Sequence, residues 1–302
     1  MRITQRSLAV TSLQNLNRNM EAIAKLQAQQ TSGKTINKPS DDPTGTNAAM
    51  QTRQEMASAT QYARNISDGI SILDATDSAL HNITEQVQNA RALTVQGLND
   101  GSLSEASRVA IATEVDGIRQ SLIGLANTAV KGQPIFGGVT SGPTAYDAAG
   151  TYTGFGGTTA VPAIEITRQV SSVDAVRVDI TGPEAFGETT ATSKDLFAIV
   201  GDIARDVVDD PDALAGHLAA LDVALDRLKK AAADIGTRTN RIETAKQVNS
   251  DLQLTLETRS ASIENVDLAK TMVDLSMMQT GYEAALGATA KVIQPTLLDF
   301  LR

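Results

Sequence analysis

The chain has 302 residues, 35 Asp+Glu against 26 Lys+Arg for a net charge of −9, two His, no Cys and no Trp. This balance lacks the basic surface that displaces counterions from duplex DNA, and without cysteine there is no disulfide, thiolate metal site or cysteine nucleophile. Apolar residues at 41% and charged residues at 20% exclude a disordered composition, so the length predicts two ordinary domains or one elongated chain with an insertion.

The first twenty residues carry Arg2, Arg6 and Arg18 and no continuous apolar core of a secretory signal. No apolar run approaches the roughly 20 residues of a bilayer-spanning helix. These rules make the protein cytoplasmic, or exported without a cleaved signal. Leu13, Leu16, Met20 and Ile23 then step by three, four and three, as on one helix face. Gly33 is expected to end that helix, and Asp42-Pro43 to start the next, with a side-chain acceptor before a proline at the first helical position. Leu73, Leu80, Ile83, Val87 and Ala90 continue the grid, with Thr76 filling its gap. Ser102 and Glu105 form a capping box ahead of a third stripe, Ile111, Val115, Ile118, Leu122, Leu125 and Ala129.

Between residues 132 and 190 the texture changes: five of the nine aromatics and ten of the 22 Gly fall there. Val176, Val178 and Ile180 alternate with Arg177 and Asp179, and Ile164 and Ile166 flank Glu165, which reads as short antiparallel strands. Asp210-Pro211 opens another helix, with a stripe from Leu214 through Leu218, Leu221, Leu225, Leu228 and Ile235 to Ile242. The last stripe runs Leu268, Met272, Leu275, Gln279, Tyr282, Leu286, Thr289 and Ile293, followed by Leu297, Leu298, Phe300 and Leu301. A seven-residue repeat with steps of three and four is a coiled-coil seam. The middle stripes suit an ordinary bundle. The two terminal helices are different, because a lone helix pair is marginal in water, and their seams require copies of themselves or partners.

Catalytic and ligand motifs fail on inspection. Ser32-Gly33-Lys34-Thr35 has Ala28 where a P-loop needs glycine, and a helix where it needs a strand. Gly154-Phe155-Gly156-Gly157 has Thr159 at the third glycine position of a dinucleotide fingerprint and no βαβ unit, so a hairpin turn is expected. His81 and His217 read as solvated helix positions, and the acidic run Asp209-Asp210-Pro211-Asp212 as a helix start. No pair of groups stands as general acid and base. The expectation is no enzyme, no cofactor and no metal.

Gln29-Gln30-Thr31-Ser32-Gly33-Lys34-Thr35-Ile36-Asn37-Lys38-Pro39-Ser40-Asp41-Asp42-Pro43 resembles the N-terminal signature of the bacterial flagellin family. Further strings follow in the family's order: Arg91 to Gln96, Leu125-Ala126-Asn127-Thr128, Ile135-Phe136-Gly137-Gly138, Ile235 to Glu243, and Val292 to Leu301. The Pro-Ser-Asp-Asp-Pro form and the Asp299-Phe300-Leu301 ending are similar to members at the hook–filament junction rather than to bulk filament subunits. Residues 139–190 match nothing in the family pattern, and Thr35 stands where a basic residue is common.

The resemblance implies a mainly α fold, an elongated antiparallel helical bundle and coiled coil made from both chain termini, with a small β-rich insertion. Residues 1–45 with 262–302 would form the terminal coiled coil, 46–138 with 191–261 the central bundle, and 139–190 the outer insertion. It implies a structural protein exported by the flagellar type III apparatus to the extracellular flagellum. The expected partners are further copies of the chain in a ring, a neighbouring hook-associated protein, flagellin, and an export chaperone on the C-terminal helix. No nucleic acid or membrane insertion is expected. The subunit interface would use Leu13, Leu16, Met20, Ile23, Leu268, Met272, Leu275, Tyr282, Leu286, Ile293, Leu297, Leu298, Phe300 and Leu301. The competing readings are flagellin itself and a cytoplasmic coiled-coil scaffold.

Overall fold

A computed structural model describes residues 5–99, 104–140, 142–191 and 193–293, with side chains described from residue 10 to residue 290 within these ranges. Among the described residues, seven helices and four short strands follow in the order α1 (Gln5–Ser32), α2 (Pro43–Gly97), α3 (Glu105–Ala126), β1 (Ala129–Val130), β2 (Gln133–Pro134), β3 (Thr167–Gln169), β4 (Ala175–Arg177), α4 (Gly182–Phe186), α5 (Leu196–Asp209), α6 (Leu214–Glu264) and α7 (Leu268–Ile293). A 3₁₀ turn, Pro211–Ala213, leads into α6. The strands pair as two antiparallel hairpins, β1 with β2 and β3 with β4. The chain forms two compact units, one from residues up to Ser58 with those from Leu252 on, the other Ala59–Asp251.

Among its described residues the second unit holds one hydrophobic core. In α2 the buried positions Ile66, Gly69, Leu73, Thr76, Leu80, Ile83, Val87 and Ala90 repeat by threes and fours, as one face of a helix must. Thr76 sits in that seam without penalty because its hydroxyl donates to the Ile72 carbonyl at 2.8 Å. At Gly69 a Cβ would stand 2.4 Å from Ile242 Cδ1 of α6, so any larger residue there makes the Ile242 side chain shift. Helix α3 packs on α5, whose Leu196, Val200, Ile203 and Val207 are buried.

The described buried apolar residues of 139–190 do not form a separate cluster. Tyr146, Val170, Val176, Val178, Ile180 and Phe186 belong to the same buried cluster as the helices. Phe186 meets Phe136 edge-on at 4.8 Å between ring centroids, and Tyr146 lies 4.6 Å from Phe197. Asn127, directly after α3, ties this segment down: its side-chain oxygen accepts from the Ala145 and Tyr146 amides at 2.8 Å each, and its Nδ2 donates to the Tyr146 carbonyl.

Several local expectations change. Helix α3 stops at Ala126, so Ala129 is an exposed strand residue rather than the end of the third stripe. Ser104, not Ser102, caps α3, accepting from the Ser107 amide; Ser102 lies outside the described residues. Asp210 makes no side-chain cap. The alternation around β4 puts Asp179 on the solvent side, yet it is buried, because Arg177 Nε donates to it at 3.0 Å and Arg177 Nη2 reaches Glu184 at 2.8 Å. Gly154–Gly157 is not a hairpin turn: Phe155 bridges Gly138 in parallel, and a Cβ on Gly138 would meet the Phe155 carbonyl at 2.1 Å. His81 is solvated as expected, beside Glu85. His217 is not, since its Nε2 lies 2.7 Å from Asp206 Oδ2 in a half-buried pair. Burial alone raises the Asp206 pKa, but hydrogen bonds from Arg205 and His217 outweigh it and leave the carboxyl below its ordinary value.

Candidate assembly interface

The first unit is built around α1 packed on α7. The end of α1 and the start of α2 are set by chemistry written in the signature string. Helix α1 ends because Gly33 adopts φ +68°, a left-handed conformation open to glycine, and its amide returns to the Gln29 carbonyl at 2.9 Å. The two adjacent aspartates have separate tasks. Asp41 Oδ2 accepts from the Lys38 amide at 2.9 Å and the Asn37 amide at 3.3 Å, which folds the loop back. Asp42 Oδ1 accepts from the Thr44 and Gly45 amides at 3.1 and 2.9 Å, capping α2 ahead of Pro43. The Asp41 carboxyl is held below its ordinary range, chiefly by the Lys38 amide.

The loop after α1 is clasped to the end of α6. The Thr35 amide donates to the Glu264 carbonyl at 2.7 Å and the Val266 amide to the Gly33 carbonyl at 3.0 Å, an antiparallel bridge between Lys34 and Asn265. The Glu264 side chain, buried, accepts from Arg53 Nε at 2.8 Å, Arg53 Nη2 at 2.7 Å and Lys34 Nζ at 2.9 Å. Those hydrogen bonds, Arg53's first and then Lys34's, hold the Glu264 carboxyl below the usual carboxylate range. Lys34 is thus an anchor for the helix junction. No pattern in the sequence pointed to Glu264, because its partners lie more than two hundred positions away.

Along the α1–α7 pair the expected interface residues divide. Leu16 is buried, and Ile23, Leu275 and Tyr282 are half-buried. Tyr282 Oη lies 3.2 Å from Met20 Sδ across the pair. Leu13 at 55%, Met20 at 54%, Leu268 at 51%, Met272 at 58% and Leu286 at 43% remain exposed. Val10, Val273, Met277 and Met278 add exposed apolar side chains that the heptad reading missed. Val273 and Met277 lie one turn apart beside the expected stripe, so α7 is apolar on more than one face. The side chains of Ile293, Leu297, Leu298, Phe300 and Leu301 lie outside the described residues. Among the described residues no helix is long and apolar enough to cross a membrane, and no group of three or more His, Cys, Asp or Glu is placed to hold a metal.

Residues 3–141 match the bacterial flagellin N-terminal helical region, and residues 218–301 the bacterial flagellin C-terminal helical region. Those two regions take in most of the chain, and the protein belongs to the bacterial flagellin family. It is similar to flagellar hook-associated protein 3 of Escherichia coli (strain K12), with 27% identity over 89% of this chain and 92% of the relative. It also aligns with flagellin of Bacillus subtilis (strain 168) at 26% identity over the full length of both. Among solved structures, the flagellar junction protein FlgL from Legionella pneumophila shares the fold, with a TM-score of 0.57, 16% identity, and coverage of 72% of this chain and 100% of that one.

Proposed function

We propose that this protein is a structural subunit of the bacterial flagellum, located outside the cell at the junction between hook and filament. It does so by burying the apolar faces of α1 and α7 against other subunits. The observation that carries this reading is the exposure of Leu13, Met20, Leu268, Met272 and Leu286 on a helix pair of a flagellin-family chain. Soluble monomers rarely leave so many large apolar side chains uncovered on one element pair. Fully covering such a side chain contributes about 1.5–3 kcal/mol, so a half-exposed one offers about half of that. Several together offset the cost of bringing subunits together. The seam continues in this proposal through Ile293, Leu297, Leu298, Phe300 and Leu301.

The partners are further copies in a ring, the neighbouring hook-associated protein on one side and flagellin on the other. An export chaperone covers α7 before secretion through the flagellar type III apparatus, since a bare apolar face is an aggregation hazard. The role is mechanical and needs no cofactor. The end-to-end alignment with a flagellin supports a second reading, a bulk filament subunit. A fluorescently tagged copy separates the two. One spot at the filament base is expected. Label along the whole filament establishes the flagellin reading, and label in the cytosol overturns both.

A further inference from the structure

All seven methionines of the chain fall within residues 1–58 and 252–302, and residues 59–251 hold none. There is no cysteine anywhere, so the thioethers of the first unit are the only readily oxidised sulfur in the protein. Five of the seven are not core fillers, the ordinary use of methionine. Met277 is 67% exposed, Met50 63%, Met272 58%, Met20 54% and Met278 42%. Four of these five sit on α1 and α7, and Met20 Sδ also accepts from the Tyr282 hydroxyl across the pair at 3.2 Å.

We propose that Met20, Met272, Met277 and Met278 form an oxidation-responsive site on the assembly face, at which peroxide blocks docking and leaves residues 59–251 intact. The inference rests on the assembly reading given above. In the step itself a sulfur lone pair attacks one oxygen of hydrogen peroxide. The O–O bond breaks, an S–O bond forms, the sulfur loses two electrons, and the peroxide is reduced to water. The product sulfoxide is polar and a strong hydrogen-bond acceptor. On a face that must be stripped of water for docking, each such oxygen becomes a buried acceptor without a partner. Met20 is the exception: its new oxygen takes the Tyr282 hydroxyl's hydrogen bond from the sulfur, and the added atom displaces the contact between α1 and α7. Once neighbouring subunits cover these side chains the sulfurs are shielded, so the free chain is the sensitive form and the assembled one is protected.

The test treats the full chain with graded hydrogen peroxide and follows each methionine by peptide mass spectrometry. Incorporation onto isolated hooks is read alongside the far-ultraviolet melting of the protein. In the reduced chain, Met20, Met272, Met277 and Met278 are expected to gain oxygen, and incorporation to fall about tenfold or more, the factor that corresponds to about 1.4 kcal/mol. The main melting transition should hold, and methionine sulfoxide reductases should restore incorporation. A chain carrying Met20→Leu, Met272→Leu, Met277→Leu and Met278→Leu keeps the apolar volume and should assemble in peroxide as it does without it. Met50 in that variant still oxidises and reports that the reagent acted. If the oxidised parent incorporates as well as the reduced one, or the Leu variant loses incorporation to the same degree, the oxidation site is refuted while the assembly reading stands. If the untreated parent does not join hooks, the assembly reading fails and this inference with it.

Discussion

Replacing Glu264 by Gln tests whether the clasp between the α1–α2 loop and the α6–α7 junction orders the first unit. The change keeps the shape of the side chain and removes its charge, and so weakens three charge-assisted hydrogen bonds, two from Arg53 and one from Lys34. Such bonds contribute about 1.5–3 kcal/mol each when shielded, but the Arg53 and Lys34 side chains are 58% and 46% exposed and can turn to water. Solvent screening on that side brings the expected total to about 1–2 kcal/mol. The readout is hydrogen exchange at the Thr35 and Val266 amides, which bond the Glu264 and Gly33 carbonyls. Local opening there should become about tenfold more frequent, while the Ala185 amide, bonded to the Thr181 carbonyl in the second unit, should not change. Acid gives an independent check. The Glu264 pKa is lowered in the folded chain, so its contribution is full above the ordinary glutamate value and is lost as pH falls from about 4.5 through the lowered value. The parent should open the clasp in that window, and the Gln variant should have lost the dependence. Equal protection of Thr35 and Val266 in both proteins, with equal acid profiles, would show that the ion cluster merely decorates the junction.

Leu13→Asp with Met272→Asp should leave the thermal midpoint of the monomer within about 2 °C, because both side chains already face water, yet abolish incorporation at hooks and motility; a large drop in melting would mean that they close an internal core. Gly69→Val puts a Cβ 2.4 Å from Ile242 Cδ1 and 3.1 Å from Val178 Cγ1, so urea unfolding of the second unit should show a loss of about 1–3 kcal/mol from overpacking. Burial, helped by the charges of Glu184 and Asp179, pushes the Tyr152 hydroxyl up to about 12. Its neutral form therefore stabilises the fold below about pH 10, and that contribution is lost as pH rises through 12. Tyr152→Phe should flatten this alkaline loss in a melting series and cost little at neutral pH, since the Tyr152 hydroxyl has no hydrogen-bond partner among the described residues.

The helices were legible because their signal is local and repetitive. A residue such as Leu80 or Ile83 in α2 is buried for the reason its spacing gives, and no distant fact is needed to place it. The punctuation was legible in the same way where one residue decides the backbone: Gly33 takes a left-handed angle, and Pro43 opens α2. Reading failed where burial is settled by a charged partner that the hydrophobic period does not name. Asp179 looks like a solvent position by alternation and is buried because the Arg177 guanidinium, which also binds Glu184, answers its charge. His217 looks solvated by composition and is half-buried because Asp206, on another helix, faces it. Glu264 escaped for the same reason, being one more glutamate on a long helix until Lys34 and Arg53 are brought to it.

The interface residues follow a different logic, since their seam spacing was legible while their exposure was not. Leu16 and Met20 stand on the same stripe of α1, yet one is buried and the other is 54% exposed. An apolar stripe on a two-helix pair is wider than one neighbour covers, and the proposed assembly rests on that surplus width. The same surplus explains why Val273, Met277 and Met278 were missed. They lie off the single stripe that one partner needs, on faces of α7 that in the proposed assembly meet a helix of another subunit.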